Sequence, residues 1–478
     1  MQRQPTISPR NQTKNDCLIY SIANVFMRKI VILLKWTTED SSIDWDEVDP
    51  NTCDIYVHGS ENGNPIKYKY CILYAYVQGI LRKSFGSCGA FAEPTTEAFC
   101  NIFNEIMRSD ITTESILTHI LRDNEIQILK EQNSIYLREL KNKSLTREGL
   151  TDEEKEQFEE CKTAEKELNF DFNPIYKPIL VSTLQGIKDA LQGKEFDALT
   201  ILFYDKKTNM TIENSDPNFK KLTKEFNDGF YGIMHIELSN DLFNFFQRIH
   251  INDTENYNII INSIKEKSAQ KYQIQKEIEQ KEIEIDQMQK KRKIEPLNTI
   301  LEELKHKLST LESELTYLLE RYLELPTGIS GKDPDNGEIY ELKLSDTFNY
   351  MEDTIKTHSI DPKNNDVLDS RGNIVAADGH AVVAKNIFEI GPKKVVLAKN
   401  HWGKDWGSEG EMLFEPNKRV YRASISIIIL REQNSPLIKT PFLGGKQSRK
   451  KTYRKLKKKS KKSKKSRKSK RTKGYKRK

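Results

Sequence analysis

An α+β fold is predicted by three features of the sequence: an apolar run of helix length near the start, short β-rich segments in the last third, and between them a stretch whose leucines recur at alternating spacings of four and three. Of the 478 residues, 36% are hydrophobic and 31% charged, enough for a packed core with polar residues left over for helices and tails that stand in water. The charge is unevenly placed. The 33 residues from Lys446 onward carry 21 Lys and Arg and no acid, so the preceding 445 hold 56 basic against 70 acidic side chains. A strongly basic tail follows an acidic body.

The first element is Cys17 to Lys35, too long for one strand and apolar enough for a buried helix, with Asn15 and Asp16 placed to cap it. Asp44 to Gly63 has loop composition. Tyr68 to Leu81 is apolar again and leads through the turn Gly86-Ser87-Cys88-Gly89 to a helical segment over Phe99–Met107. These residues, 1–110, make a helical lobe, and 111–178 a charged helical insertion. Leu180–Leu191 then predicts a helix and Ala198–Tyr204 a strand, opening a second part over 179–255.

From Asn256 to Leu325 the leucines Leu297, Leu301, Leu304, Leu308, Leu311, Leu315 and Leu318, continued by Tyr322 and Leu325, form an a/d seam. Pro296 is placed between two arms of a helical hairpin, each about 40 Å long at 1.5 Å per residue. The seam is satisfied either by the hairpin itself or by coiled-coil self-association, and the interrupting proline favours the hairpin. Beyond the turn-rich Gly328–Gly337, the segments 381–390, 393–400, 411–415 and 423–430 read as strands of an antiparallel sheet within 326–435. Residues 436–478 form a tail that cannot bury a core and is expected to be disordered.

No run of about 18 apolar residues occurs, which argues against a membrane span. MQRQPTISPRNQ lacks a signal-peptide core, so an intracellular, non-secreted protein is expected. The six cysteines (Cys17, Cys53, Cys71, Cys88, Cys100 and Cys161) include no CxxC pair, against both a disulfide framework and a zinc ribbon.

Three segments carry chemistry. Cys17 stands at a helix N-terminus, where the helix dipole favours a thiolate, although a buried structural cysteine has the same pattern. His380 opens a strand among small neighbours in Asp378–Val383, and Asn400 precedes two Trp-Gly pairs in KNHWGKDWGSEGEM. Together NQTKNDCLIYS, DGHAVV and that last segment resemble the papain family of cysteine peptidases.

The resemblance covers about residues 10 to 35 and 375 to 415 and implies a two-lobed fold, a helical lobe against an antiparallel β lobe, with substrate in the cleft between. It implies Cys17 as nucleophile, His380 as the base and acid, and Asn400 as the group that holds the imidazole. Gln12 and the Cys17 backbone N–H would form the oxyanion hole, and Trp402 would shield the Asn400–His380 hydrogen bond from water. Gly86, Cys88 and Gly89 would wall the substrate cleft, or form a plain turn. No metal or organic cofactor is expected.

Several residues depart from the family pattern. Leu18 replaces the usual Trp, the Gln12 to Cys17 gap is one residue short, and His401 stands where Ser is usual and is expected to be an exposed loop residue. With 16 residues before Cys17 no pro-segment is expected, so activity is either always on or controlled by the helical insertion, the acidic stretch or a partner. The partners expected are a polypeptide substrate and, through Lys446 to Lys478, DNA, RNA or another polyanion. The same tail, led by PFLGGK, resembles those of giant DNA virus proteins, which implies host cytoplasm, nucleus or virion. Alternatives to the peptidase are a deubiquitinase-like isopeptidase or amide-transfer enzyme on the same fold, and a non-catalytic scaffold of coiled coil and basic tail.

Overall fold

Runs that are apolar on every side must be buried on every side, and the first helix shows this. In a computed structural model, which describes residues 17–40, 43, 65–85, 92–120, 138, 141–143, 176–288, 295–332, 338–361, 366–375, 377–400 and 405–432, α1 (Cys17–Leu33) has Ile22, Ala23, Phe26, Met27 and Ile30 without any exposure. After the short α2 (Trp36–Glu39) come α3 (Pro65–Phe85), with proline at its first position where no N–H is needed, and α4 (Ala92–Arg108). Thr112 and Ser115 close a capping box on α5 (Thr113–Leu117). The rings of Phe99, Phe103 and Phe196 lie 5.1, 4.5 and 5.1 Å from that of Phe26, binding α1, α4 and the first strand into one aromatic core.

The next helix is α6 (Tyr176–Leu191). Its buried face of Leu180, Leu184, Ile187 and Leu191 joins the core of α1, α3 and α4, which Phe196 of the strand that follows also enters.

The chain then enters the sheet with β1 (Lys194–Asp205) and the two-residue β2 (Met210–Thr211). Asp216 caps α7 (Pro217–Asn227), which leads to β3 (Gly232–Ser239), and Ser239 at once caps α8 (Asn240–Gln247). The long helices α9 (Thr254–Met288) and α10 (Glu295–Leu323) follow, then the ribbon β4 (Pro326–Lys332) and β5 (Ile339–Lys343), α11 (Leu344–Thr357), and a small sheet of β6 (Ser359–Ile360), β7 (Val367–Leu368) and β8 (Ile374–Val375). Last come β9 (Ala377–Ile390), β10 (Lys393–Lys399), β11 (Glu411–Phe414) and β12 (Arg422–Glu432).

The fold is therefore mixed α and β around a curled antiparallel sheet ordered β11-β10-β9-β3-β12-β1-β2. The last strand inserts between two strands from the middle of the chain, pairing Ile425 with both Ile201 and Met234. Alternation along each strand divides the sheet. Phe196, Ile233, Ala381, Val383 and Ile428 face the α1 cluster, while Leu199, Ile201, Met234, Ile236, Val382 and Ile425 face a second core shared with α7, α8, α10 and α11.

The arms α9 and α10 pack on each other. Leu301, Leu304, Leu311, Leu315, Leu318 and Tyr322 are buried, and Lys271 and Lys267 bridge to Glu312 and Glu314 at 3.0 and 2.6 Å. The seam is filled within the chain, and its base enters the second core, where the Tyr322 hydroxyl donates to the Leu413 carbonyl at 2.9 Å. Pro296 is not between the arms. It occupies the first turn of α10, which needs no N–H donor there.

Cys71 in α3 is disulfide-bonded, so the sequence-based case against disulfides does not hold for this residue, while Cys17 and Cys100 are free thiols. No described helix is long and apolar enough to cross a membrane. The basic tail, and all of 111–178 except α5 and short pieces near it, 138 and 141–143, with the start of α6, lie outside the described residues.

Truncating the base of the seam by Leu315→Ala, at a residue without exposure, is expected to cost about 2–5 kcal/mol in urea unfolding. The same truncation at Ile283, 58% exposed, is expected to change stability by less than about 1 kcal/mol.

Candidate active site

Cys17 is the first residue of α1, buried, at the end of the helix where unsatisfied N–H groups and the dipole favour an anion. The opposite end of α1 is anchored. Lys29 forms an ion pair with Glu225 of α7 at 3.0 Å, and the Arg28 Nε donates to the Gly229 carbonyl at 2.9 Å while its guanidinium lies over the Tyr231 ring. Burial lowers the Lys29 pKa, against the opposing pull of Glu225. These contacts tie the helix to the turn that begins β3. Its middle packs on β3 and β9, and Cys17 shares a buried cluster with Ala381 and Val383 of β9.

His380 lies on β9, opposite Ile236 of β3, and is 2% exposed. Its Nε2 is 3.2 Å from Asn400 Oδ1. An amide oxygen only accepts, so Nε2 carries the proton and Nδ1 is the nitrogen able to take one. The Phe243 ring of α8 meets the imidazole edge to face at 5.4 Å. His380 and Asn400 are thus brought together as the sequence suggests.

Asn400, also buried, follows β10, and its backbone N–H donates to the Gly410 carbonyl at 2.8 Å. The Trp-Gly spacing around it has a backbone cause. Trp406 is buried and its indole N–H donates to the Phe246 carbonyl at 3.0 Å. Gly407 has φ +61°, and a Cβ there would lie 2.2 Å from the Glu411 carbonyl oxygen. Gly410, at φ +86°, closes the turn by donating to the Trp406 carbonyl at 2.9 Å. The loop is pinned to the end of α8 through Gly407 N–H to Ile249 and Ile251 N–H to Gly407, at 2.9 and 2.6 Å.

The remaining sequence-predicted residues, Gln12, Gly86, Cys88, Gly89, His401 and Trp402, lie outside the described residues. Two neighbours of His380 escaped sequence reasoning. Phe243 sits in an aromatic run, LFNFF, whose only local signal is amphipathic spacing. Gly379 precedes His380 because a Cβ there would come 2.5 Å from the Nε2 of His235. His235 is half-buried on β3, and burial, aided by Arg422, lowers its pKa to about 4.

Comparison with protein-family models, curated proteins and solved structures finds no match to this chain.

Gly407→Ala is expected to destabilise the fold by more than about 1 kcal/mol in thermal unfolding, since it combines a left-handed φ with a backbone clash. Because His235 binds its proton less readily folded than unfolded, the unfolded chain gains protons first on acidification. Stability is expected to fall between about pH 6.5 and about pH 4, and His235→Gln to remove that part of the pH dependence of the urea midpoint.

Proposed function

We propose that this chain is a papain-like cysteine peptidase, its helical cluster with Cys17 and its sheet with His380 and Asn400 acting as the two lobes. The observation that carries the reading is the buried hydrogen bond between His380 Nε2 and Asn400 Oδ1 on the strand against which the Cys17 helix packs.

In this reading His380 Nδ1 takes the Cys17 proton, and the thiolate adds to the scissile carbonyl carbon. The tetrahedral intermediate collapses as the imidazolium donates its Nδ1 proton to the departing amine, leaving a thioester on Cys17. Water then gives a proton to Nδ1 as it attacks the thioester, and the proton returns to the sulfur with release of the acid product. Throughout, Nε2–H stays on the Asn400 oxygen, which fixes both the tautomer and the ring plane. The Phe243 ring packs against the imidazole, and the burial of both His380 and Asn400 gives the low dielectric that strengthens their bond. The basic tail and the resemblance to viral proteins fit an enzyme that meets polyanions, and nucleic acid is the partner proposed for Lys446 to Lys478.

An epoxide that alkylates activated thiolates is expected to label Cys17 of the wild-type protein, located by peptide mass, and not to label Cys17→Ala or His380→Ala. A folded wild-type protein that resists labelling would sink the proposal. Asn400→Ala is expected to keep residual turnover, reduced by about two orders of magnitude, because the base survives and loses only its orientation.

A further inference from the structure

The base of the hairpin arms meets the sheet around a cavity of about 230 Å³, part of it open to solvent. Its wall is apolar where α10 and α11 supply Leu319, Leu323 and Phe348, and charged where Lys393 of β10 enters with Glu415 and Arg419 from the link between β11 and β12. The space inside admits a group of a few atoms.

Arg419 sets the character of this cavity. Its side chain is only 10% exposed, and a guanidinium is costly to bury without partners. Lys418 just before it has φ +63°, a left-handed backbone that non-glycine residues rarely adopt. The guanidinium lies 4.5 Å over the Phe348 ring, and its Nη1 reaches the Glu415 carboxylate and carbonyl at 3.3 and 3.4 Å. Nε and Nη2 make no hydrogen bond among the described residues. Together they form an edge on which arginine receives a carboxylate through two parallel bonds.

Lys393, half-buried at the start of β10, likewise has no ion pair or hydrogen bond among the described residues. Glu352, near enough to act on Arg419, is itself paired with Lys356 at 3.1 Å. Lys393 and Arg419 are therefore left facing one carboxylate, that of Glu415. Burial lowers the Arg419 pKa against the pull of Glu415 and Glu352, as befits a cation whose counter-charge is incomplete.

We propose that this cavity binds a small carboxylate ligand, its carboxylate on Arg419 Nε and Nη2 beside Lys393 Nζ, and its aliphatic body against Leu319, Leu323 and Phe348. One anion balances the charge, the flat guanidinium matches a flat carboxylate, and the apolar wall suits a carbon body better than a hydrated inorganic ion. A short free acid and the C-terminus of a polypeptide share this chemistry. The site does not depend on the peptidase reading: Lys393 opens β10, whereas Asn400 follows its other end.

The test titrates the full-length protein, labelled with ¹⁵N-arginine, with sodium butyrate at constant ionic strength and follows the Nε–H resonance that disappears in Arg419→Lys. A saturable shift is expected, with affinity about tenfold weaker in Lys393→Gln, which removes one charged partner at a half-buried position. Calorimetric titration of wild type and Lys393→Gln makes the same comparison without the Arg419 variant. N-acetyl-leucine and its amide distinguish the sources. Saturation by the acid but not the amide assigns a polypeptide C-terminus, and saturation by butyrate alone assigns a short free acid. Chloride or phosphate acting as strongly as butyrate, a response that never saturates, or an affinity unchanged in Lys393→Gln overturns the proposal.

Discussion

The burial of α1 against β3 and β9 is the contact on which the rest of the structure depends. The helix is apolar on nearly every side, so it is stable only with strands beneath it and helices around it, and β9 offers the small Ala381 and Val383 that let it approach. Its far end is held by Lys29 and Arg28 at the turn into β3. A charged pair that is mostly buried adds little net stability, but it is directional, and here it sets where along the strands the helix lies. The same contact joins the N-terminal helices to a sheet whose remaining strands come from far later in the chain.

The second constraint is the turn that returns β10 to β11. In its described part, 405–410, two glycines in left-handed conformations and a tryptophan bonded to the end of α8 fix the backbone. Asn400 hangs from it by its own backbone N–H, so the amide that meets His380 is oriented by backbone hydrogen bonds and not by side-chain packing alone. The helix α8 serves both sides of the arrangement: Phe246 takes the Trp406 indole, and Phe243 lies against the imidazole. Two segments about 160 residues apart in sequence thereby define one histidine environment.

Much of this was legible in the amino-acid order. The leucine spacing over 297–325 specified a long helix, and the buried seam follows it except at Leu297 and Leu308, which are half-buried. The Trp-Gly pattern after Asn400 carries only a resemblance in the sequence, and its backbone cause, the positive φ of Gly407 and Gly410, comes from the structure. Other features were hidden because they are non-local. The packing of α6 against the N-terminal helices depends on which cluster covers Leu184 and Ile187, which local composition does not contain. Pro296 marks a helix break by local rules, yet it is equally suited to a first turn, and only the hydrogen-bond pattern of α10 distinguishes the two.

What the sequence by itself determined was part of the set of elements, since period is a local property: helices early, leucine-rich arms in the middle and strands late, but not β3, α7, α8 or α11. What only the tertiary structure decided was which of them meet. The insertion of β12 between β3 and β1 aligns Arg422 with Glu237 and Ser424 with His235, and the β3–β9 ladder lays His235 across Gly379. Strand order and register arise from burying two faces of one sheet under two different cores, a global balance of surface area that no window of neighbouring residues encodes.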